Sequence, residues 1–237
     1  MAAFAALVVA VALLLGAMVG APGPLAAAGL AIALGISIGS YLYSDRVALR
    51  ITGAAPADAE AYPRYHNLVE GLCVAAGLPK PDLYVIDDDA PNAFATGRNA
   101  QHAAVAVTAG LLDKLTRVEL EGALAHELSH IRNQDILLTT MAVTLVGVPA
   151  APFGPLAGRL LDLAVGHRRE VDADATGVRL TRYPPGLIAA LEKLRSDPSV
   201  VACSSRATAH LWIESPARGH ADVGPPLEQR IAALKDM

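Results

Sequence analysis

The sequence contains few charged residues, few aromatic residues and almost no cysteine. Only 18% of its 237 residues are charged, against about a quarter in typical soluble domains. Its two cysteines, Cys73 and Cys203, are far apart and outside any C-x-x-C pattern, so they form neither a disulfide framework nor a cysteine metal site. We expect two buried thiols in a reducing compartment. The net charge is −4 without a basic block, which argues against a nucleic-acid partner.

Hydrophobic residues are abundant instead, and they are concentrated at the N-terminus. Residues 2–20 and 24–43 carry no charge, and each run has about the 20 residues that a membrane helix needs. The turn-like APGP joins them. We expect a transmembrane helical hairpin over residues 1–44. The first run resembles a signal peptide in length, but no Lys or Arg precedes it and a second apolar run follows at once.

The residues that flank the second run predict its orientation. Tyr41 and Tyr43 fit an interfacial aromatic anchor, and Arg46 and Arg50 follow, whereas the APGP turn has no cation. The positive-inside rule therefore places the N-terminus and everything after residue 44 in the cytoplasm.

The remaining chain alternates predicted helices with two short strands. Helical patterns occur at 60–78, 167–180 and 187–194, and after Pro225 and Pro226, while 83–87 and 103–108 read as buried strands. A helix that begins at Thr116 has the capping-box partner Glu119. Residues 136–166 form a third apolar stretch with three central prolines.

The segment AHELSH lies on the helix that begins at Thr116. His126 and His130 are four residues apart, so both imidazoles point from one helical face and can hold one metal ion. Glu127 can reach a water on that ion, which is the H-E-x-x-H arrangement of zinc metallopeptidases. The alternative is a polar stripe by chance. Because the leucines around the motif predict a buried helix, unpaired histidines there would be costly, and a metal supplies their partner.

Two histidines leave a catalytic zinc one protein ligand short. Glu170 and Asp174 stand four apart on one helical face, among small residues that permit close helix packing. The alternative is a solvated face on which Glu170 pairs with Arg168 or Arg169. The residues alone leave this choice open.

Several motifs together resemble the HtpX-like membrane zinc metallopeptidases, which are related to the CAAX prenyl proteases. They are PNAFATG at 91–97, VAVTAGLL at 105–112, AHELSH followed by NQD at 133–135, REVDADATG at 169–177 and PPLEQRIAAL near the end. The resemblance implies an α+β, mainly helical fold: a transmembrane hairpin at 1–44 and a zincin-like domain with a small β-sheet at 45–237. It also implies one Zn²⁺ per chain, with Glu170 as the third ligand. Asp174 is then expected to contact a metal ligand rather than the metal itself.

The same resemblance implies an endopeptidase that cleaves misfolded or membrane proteins from the cytoplasmic face of the inner membrane. Since His130 and Glu170 must meet at one ion, the apolar insertion at about 136–166 must return to the side on which it began. PNAFATG implies a strand beside the cleft with Asn92, Ala93, Phe94 and Thr96 near substrate, against a plain turn as the alternative.

One family feature is missing from the chain. A histidine is expected shortly before the last helix, where this sequence has Asp222, Val223 and Gly224. His210 and His220 are the candidates to replace it as an oxyanion donor. The alternative is that each is an ordinary surface or core histidine.

Two other functions compete with the peptidase. The first is a membrane protein with a structural zinc and a non-catalytic, partner-binding role, but structural zinc normally has four protein ligands and only three are evident. The second is a prenyl-peptide processing enzyme, which would need more membrane spans than this chain offers.

Overall fold

The computed structural model of the chain describes residues 22–140, 168–203, 208–214 and 225–237. The chain divides into two compact units between Ser44 and Asp45. Of the first unit, residues 22–44 are described, and they form most of a long helix. Of the predicted insertion at about 136–166, only residues 136–140 are described, and they are helical.

Seven helices are bounded within the described residues: α1 (Pro22–Ile51), α2 (Pro63–Ala76), α3 (Ala109–Lys114), α4 (Arg117–Arg132), α5 (Arg168–Thr181), α6 (Pro184–Ser196) and α7 (Leu227–Lys235). Four strands accompany them: β1 (Ala55–Pro56), β2 (Asp82–Ile86), β3 (Ala93–Asn99) and β4 (His102–Thr108). The chain is therefore mainly helical with a small sheet, as predicted.

None of the helices within the described residues combines the length and the apolar character needed to cross a bilayer. Residues 24–43 lie within α1, and residues 2–20 lie outside the described residues. The transmembrane hairpin stays a prediction.

The sheet is mixed. β1 pairs antiparallel with β2, β2 runs parallel to β4, and β3 pairs antiparallel with β4. The resulting order β1-β2-β4-β3 places β3 at an edge. PNAFATG is thus not a plain turn, because its last five residues, 93–97, belong to the edge strand β3.

Alternation along the strands divides the core between the two faces of the sheet. Val105 and Val107 belong to the larger core cluster, which contains the buried side of α4, while Ala104 and Ala106 belong to a smaller cluster on the other face. Because α4 packs on the larger cluster, the sheet fixes the position of the helix that carries the HExxH motif.

The sequence signals for α4 are confirmed. The Glu119 carboxylate accepts a hydrogen bond of 2.7 Å from the Thr116 backbone N–H, which closes one half of the predicted capping box. The predicted apolar stripe is at most 1% exposed at each of its four positions, Leu120, Leu124, Leu128 and Ile131.

Candidate metal centre

The two histidines of the motif lie one turn apart on α4, with their Nε2 atoms 3.2 Å from each other. Their rings are perpendicular. His126 is fully buried, whereas the His130 side chain is 15% exposed. The pair is therefore held rigidly on its inner side and reachable from solvent on its outer side.

Glu170, from the first turn of α5, completes the group. Its Oε2 lies 3.4 Å from Nε2 of His126, and its Oε1 lies 3.6 Å from Nε2 of His130. The structure thus brings the Glu170 carboxylate against both imidazoles, while Arg169 donates instead to the Asp135 carbonyl at 2.9 Å.

Close packing of α5 on α4 makes this approach possible. A Cβ atom added at Gly177 would lie only 3.0 Å from the backbone nitrogen of His126. Only glycine allows the two backbones to come this close without displacement, so the small residues around Glu170 and Asp174 have the role that the sequence suggested.

The donor atoms of the three side chains are close enough to share one zinc ion. Ligand atoms about 2.0–2.1 Å from a tetrahedral zinc ion stand about 3.3 Å apart. The two Nε2 atoms are 3.2 Å apart, and they lie 3.4 and 3.6 Å from different oxygens of the Glu170 carboxylate. One ligand atom from each residue lies within 4.8 Å of the other two. Among the described residues, the His, Cys, Asp and Glu side chains able to share one ion are these three. Three ligands with one position open are typical of catalytic rather than structural zinc.

Glu127 directly follows His126 in the sequence and is only 1% exposed. Its Oε2 has no hydrogen-bond partner, which is costly for a buried carboxylate. Burial raises the pKa of Glu127, although the charges of His126 and His130 act in the opposite direction. A carboxylate with a raised pKa and a free oxygen can accept and return a proton.

Each imidazole is oriented by an aspartate on its other nitrogen. Nδ1 of His126 lies 2.8 Å from Oδ1 of Asp174, and Nδ1 of His130 lies 3.1 Å from Oδ1 of Asp135. Both contacts leave Nε2 directed at the shared point, as is usual behind metal-binding histidines. Asp174 thus contacts His126, and Asp135 of the NQD segment contacts His130 in the same way. Their supporting role at a metal stays a prediction.

The site is charged, and its groups titrate together. Burial and the Arg230 charge lower the pKa of His126, but the hydrogen bond and charge of Asp174 outweigh them and raise it to about 9. Burial also opposes ionisation of Glu170, yet the charges of Arg230 and His130 hold its pKa well below the usual range. Glu170 is therefore an anion at neutral pH, as a metal ligand must be.

Comparison with known proteins agrees with this geometry. The sequence profile described as Peptidase family M48 matches residues 59–237, which is more than half of the chain. The chain belongs to peptidase family M48.

Curated relatives of this M48 chain are named Protease HtpX homolog. The relative from Thermoanaerobacter pseudethanolicus is 38% identical, over 84% of this chain and 80% of its own. The relative from Tropheryma whipplei is 39% identical over 88% of this chain and 84% of its own. The relative from Paraburkholderia phytofirmans is 35% identical over 98% of this chain and 94% of its own. Together with the family match, these relatives make the chain an HtpX-like metallopeptidase.

A solved structure shares the fold. The crystal structure of S. mikatae Ste24p matches with a TM-score of 0.53 and 16% identity, covering 85% of this chain and 56% of that one. At 16% identity, this similarity shows that the two chains share a fold and shows nothing more about this chain.

Arg230 contacts the candidate site, and the sequence did not indicate it. It lies on α7 near the C-terminus of the M48 chain and is 2% exposed. Its Nε and Nη2 donate to the two oxygens of Asp174 at 2.8 and 2.7 Å, and its Nη1 lies 3.2 Å from Oε2 of Glu170. The only signal in the sequence was that PPLEQRIAAL took part in the family resemblance.

The four residues expected near substrate have buried side chains with internal contacts. Asn92 donates from its amide nitrogen to the Glu214 carbonyl at 2.8 Å. Phe94 packs edge-to-face on Trp212, with ring centroids 4.9 Å apart, in the smaller core cluster that contains no α4 residue. Asn92 and Phe94 therefore anchor β3, and their proximity to substrate stays a prediction.

The other two predicted cleft residues lie further along the same strand. Ala93 is fully buried in the larger core cluster, and Thr96 has its Oγ1 3.0 Å from Oγ1 of Thr140.

The oxyanion role considered for His210 and His220 stays a prediction. His210 donates from Nε2 to the Thr139 carbonyl at 2.8 Å, and burial lowers its pKa. His220 lies outside the described residues.

Proposed function

We propose that this M48 metallopeptidase is a membrane-anchored zinc endopeptidase in which His126, His130 and Glu170 hold one zinc ion and Glu127 is the general base. The observation that carries the proposal is the convergence of the two Nε2 atoms, 3.2 Å apart, on the Glu170 carboxylate, whose two oxygens lie 3.4 and 3.6 Å from them. The unpartnered, buried oxygen of Glu127 beside them supports a catalytic rather than a structural metal.

Zinc and three side chains of the chain have separate roles in the proposed reaction. Zinc supplies Lewis acidity, which makes a water molecule more acidic and polarises a peptide carbonyl. Glu127 takes the proton of the attacking water and passes it to the leaving amine. The raised pKa of Glu127, which burial causes, suits both transfers. Asp174 and Asp135 keep the imidazoles from rotating.

An extended peptide substrate would pair with the outer edge of β3. The Ala93 carbonyl accepts from the Ile213 N–H at 3.0 Å, and the Gly97 N–H donates to Oγ1 of Thr140 at 3.0 Å, so both groups point away from β4. By the alternation of a strand, the N–H and C=O of Ala95 point the same way. Ala95 is thus the position at which a substrate strand can add by β-augmentation.

The substrates we propose are misfolded or membrane proteins. The apolar runs at 2–20 and 24–43 support an anchor in the bilayer, and α1 exposes large apolar side chains, among them Leu30, Ile32 and Ile38. The cations Arg46 and Arg50 support a catalytic domain on the cytoplasmic side. Anchoring at this surface gives the site access to chains emerging from the membrane.

The test is a paired measurement on Glu127→Gln, with the full chain purified in detergent. We expect unchanged zinc content and a loss of casein cleavage by about 10²- to 10⁴-fold, the usual contribution of a general base. Glu60→Gln, at an exposed position, is the matched control and should cleave like the wild type. If Glu127→Gln cleaves casein as fast as the wild type, the proposed mechanism is wrong.

A further inference from the structure

Arg230 brings a full positive charge into the interior of the domain, and every nitrogen of its guanidinium has a partner. Nε and Nη2 form a fork on the Asp174 carboxylate, at 2.8 and 2.7 Å. Nη1 donates to the Ile213 carbonyl at 2.9 Å and lies 3.2 Å from Oε2 of Glu170. The side chain is 2% exposed.

Such a group needs an explanation, because burying a charge is costly even when it is paired. Replacing a buried ion pair by apolar residues of similar volume is often neutral or stabilising, so folding alone does not explain the pair. What the ion pair adds is a fixed orientation for the Asp174 carboxylate. One oxygen of that carboxylate, Oδ1, also meets Nδ1 of His126 at 2.8 Å.

We propose that Arg230 is a positioning residue for the metal site: it clamps Asp174, and Asp174 in turn fixes the imidazole of His126 for metal binding. The inference rests on the proposed zinc site. It means that the site is completed by the last helix of the chain, 104 residues after the histidine that this helix supports.

The geometry requires arginine rather than any cation. A planar guanidinium holds both carboxylate oxygens through two parallel bonds and still has a third nitrogen for the Ile213 carbonyl. A lysine ammonium is a single point that cannot make the same fork. If Arg230 only neutralised Asp174, lysine would replace it; if it orients Asp174, lysine would not.

The test is a double-mutant cycle read out as the zinc dissociation constant, measured by competition with a chelator of known affinity. The variants are Asp174→Asn, Arg230→Met, Arg230→Lys and the double variant Asp174→Asn with Arg230→Met. Arg195→Met, which replaces an arginine on α6 with a 44% exposed side chain, is the matched control and should bind zinc like the wild type.

We expect each single variant to weaken zinc binding by about 10- to 100-fold, the usual effect of losing a partner behind a metal ligand. The double variant should be no weaker than the worse single variant, because both changes break the same chain of contacts. The inference would be overturned if Arg230→Met bound zinc as tightly as the wild type. It would also be overturned if Arg230→Lys did so. Losses that multiply in the double variant would overturn it too.

Folding is measured in parallel by thermal unfolding in the presence of a chelator. Arg230→Met leaves the Asp174 carboxylate buried and unpaired and is expected to be destabilised. If Arg230→Met does not fold, the zinc dissociation constants of Arg230→Lys, Asp174→Asn and the double variant test the inference instead. None of these three leaves Asp174 as an unpaired anion. A wild type that binds no zinc would refute the proposed function itself, whereas wild-type binding with an indifferent Arg230 refutes only this inference.

Discussion

Nδ1 of His130 lies 3.1 Å from Oδ1 of Asp135, five residues further along the chain. The contact forms where α4 ends: Gln134 adopts the left-handed φ of 62°, and the Asp135 N–H returns to the His130 carbonyl at 3.2 Å. The turn that stops the helix therefore also delivers the carboxylate that orients His130, a proposed metal ligand. A single local feature serves folding and the site together.

Asp135→Asn should accordingly weaken zinc binding without preventing folding. The amide oxygen can still accept from the His130 ring, but it lacks the charge that makes the imidazole more basic. We expect a zinc dissociation constant raised by about tenfold. Asp113→Asn, at an exposed position, is the control. An affinity equal to the wild type would show that Asp135 only closes the turn.

The contact between α4 and α5 predicts an effect of Gly177→Ala. The added methyl would lie 3.0 Å from the His126 nitrogen and 3.2 Å from the Ala125 carbonyl carbon, so the two backbones must separate by some tenths of an ångström. We expect a loss of about 1–3 kcal/mol in the free energy of unfolding together with weaker zinc binding, because Glu170 moves with α5.

Gly71→Ala is the matched comparison for that variant. Gly71 lies in the helix α2, is exposed, and has open space where a Cβ would be placed. Alanine there should be neutral or stabilising by up to about 1 kcal/mol, since it is the better helix former. Equal unfolding midpoints for the two variants would contradict the close packing at Gly177.

Zinc affinity should depend on pH with a predictable sign. Zinc binds the neutral imidazole, and Asp174 raises the pKa of His126 to about 9 against the opposing effects of burial and Arg230. At pH 7, zinc must therefore displace a proton from His126. For this proton alone, the dissociation constant should fall about tenfold for each pH unit below about 9 and level off above it.

Calorimetric titrations in buffers of different ionisation enthalpy count the released protons directly. Release should be close to its maximum at pH 7 and decline towards pH 9. In Asp174→Asn the decline should begin at lower pH, because the contact that raises the pKa is gone. Zinc binding without proton release at pH 7 would contradict the described electrostatics of the site.

The part of the site that lies within one helix could be predicted from the sequence. The spacing of His126 and His130, and the start of α4 at Thr116, depend on contacts between residues three or four apart. The structure has both features as expected. Local periodicity carries this information because a helix face is determined by the sequence itself.

The partners from other helices could not be predicted in the same way. The acidic pair Glu170 and Asp174 fits a solvated face as well as a ligand set, and only the family resemblance favoured the second. Arg230 carried no pattern at all, because an arginine on a short amphipathic helix is usually exposed. Its ion pair with Asp174 spans 56 residues of chain, a distance over which periodicity says nothing.

In β3, residues that favour a turn conflict with the pairing of this segment to β4. Asn92, directly before the strand, and Gly97 within it favour turns, and Gly97 does adopt a φ of 145°. The strand forms nonetheless because residues 93–97 pair in register with β4, whose β-branched valines are strand formers.

Glu170, as the third ligand, is the residue on which the proposed zinc site depends most, and metal analysis of Glu170→Gln tests that role most directly. The wild type and Glu60→Gln should each retain one zinc ion per chain after dialysis against a weak chelator. Glu170→Gln should lose most of its zinc and its casein cleavage, because a neutral amide is a poor ligand beside two imidazoles. Glu170→Gln that retains one zinc ion per chain with unchanged affinity would contradict the account.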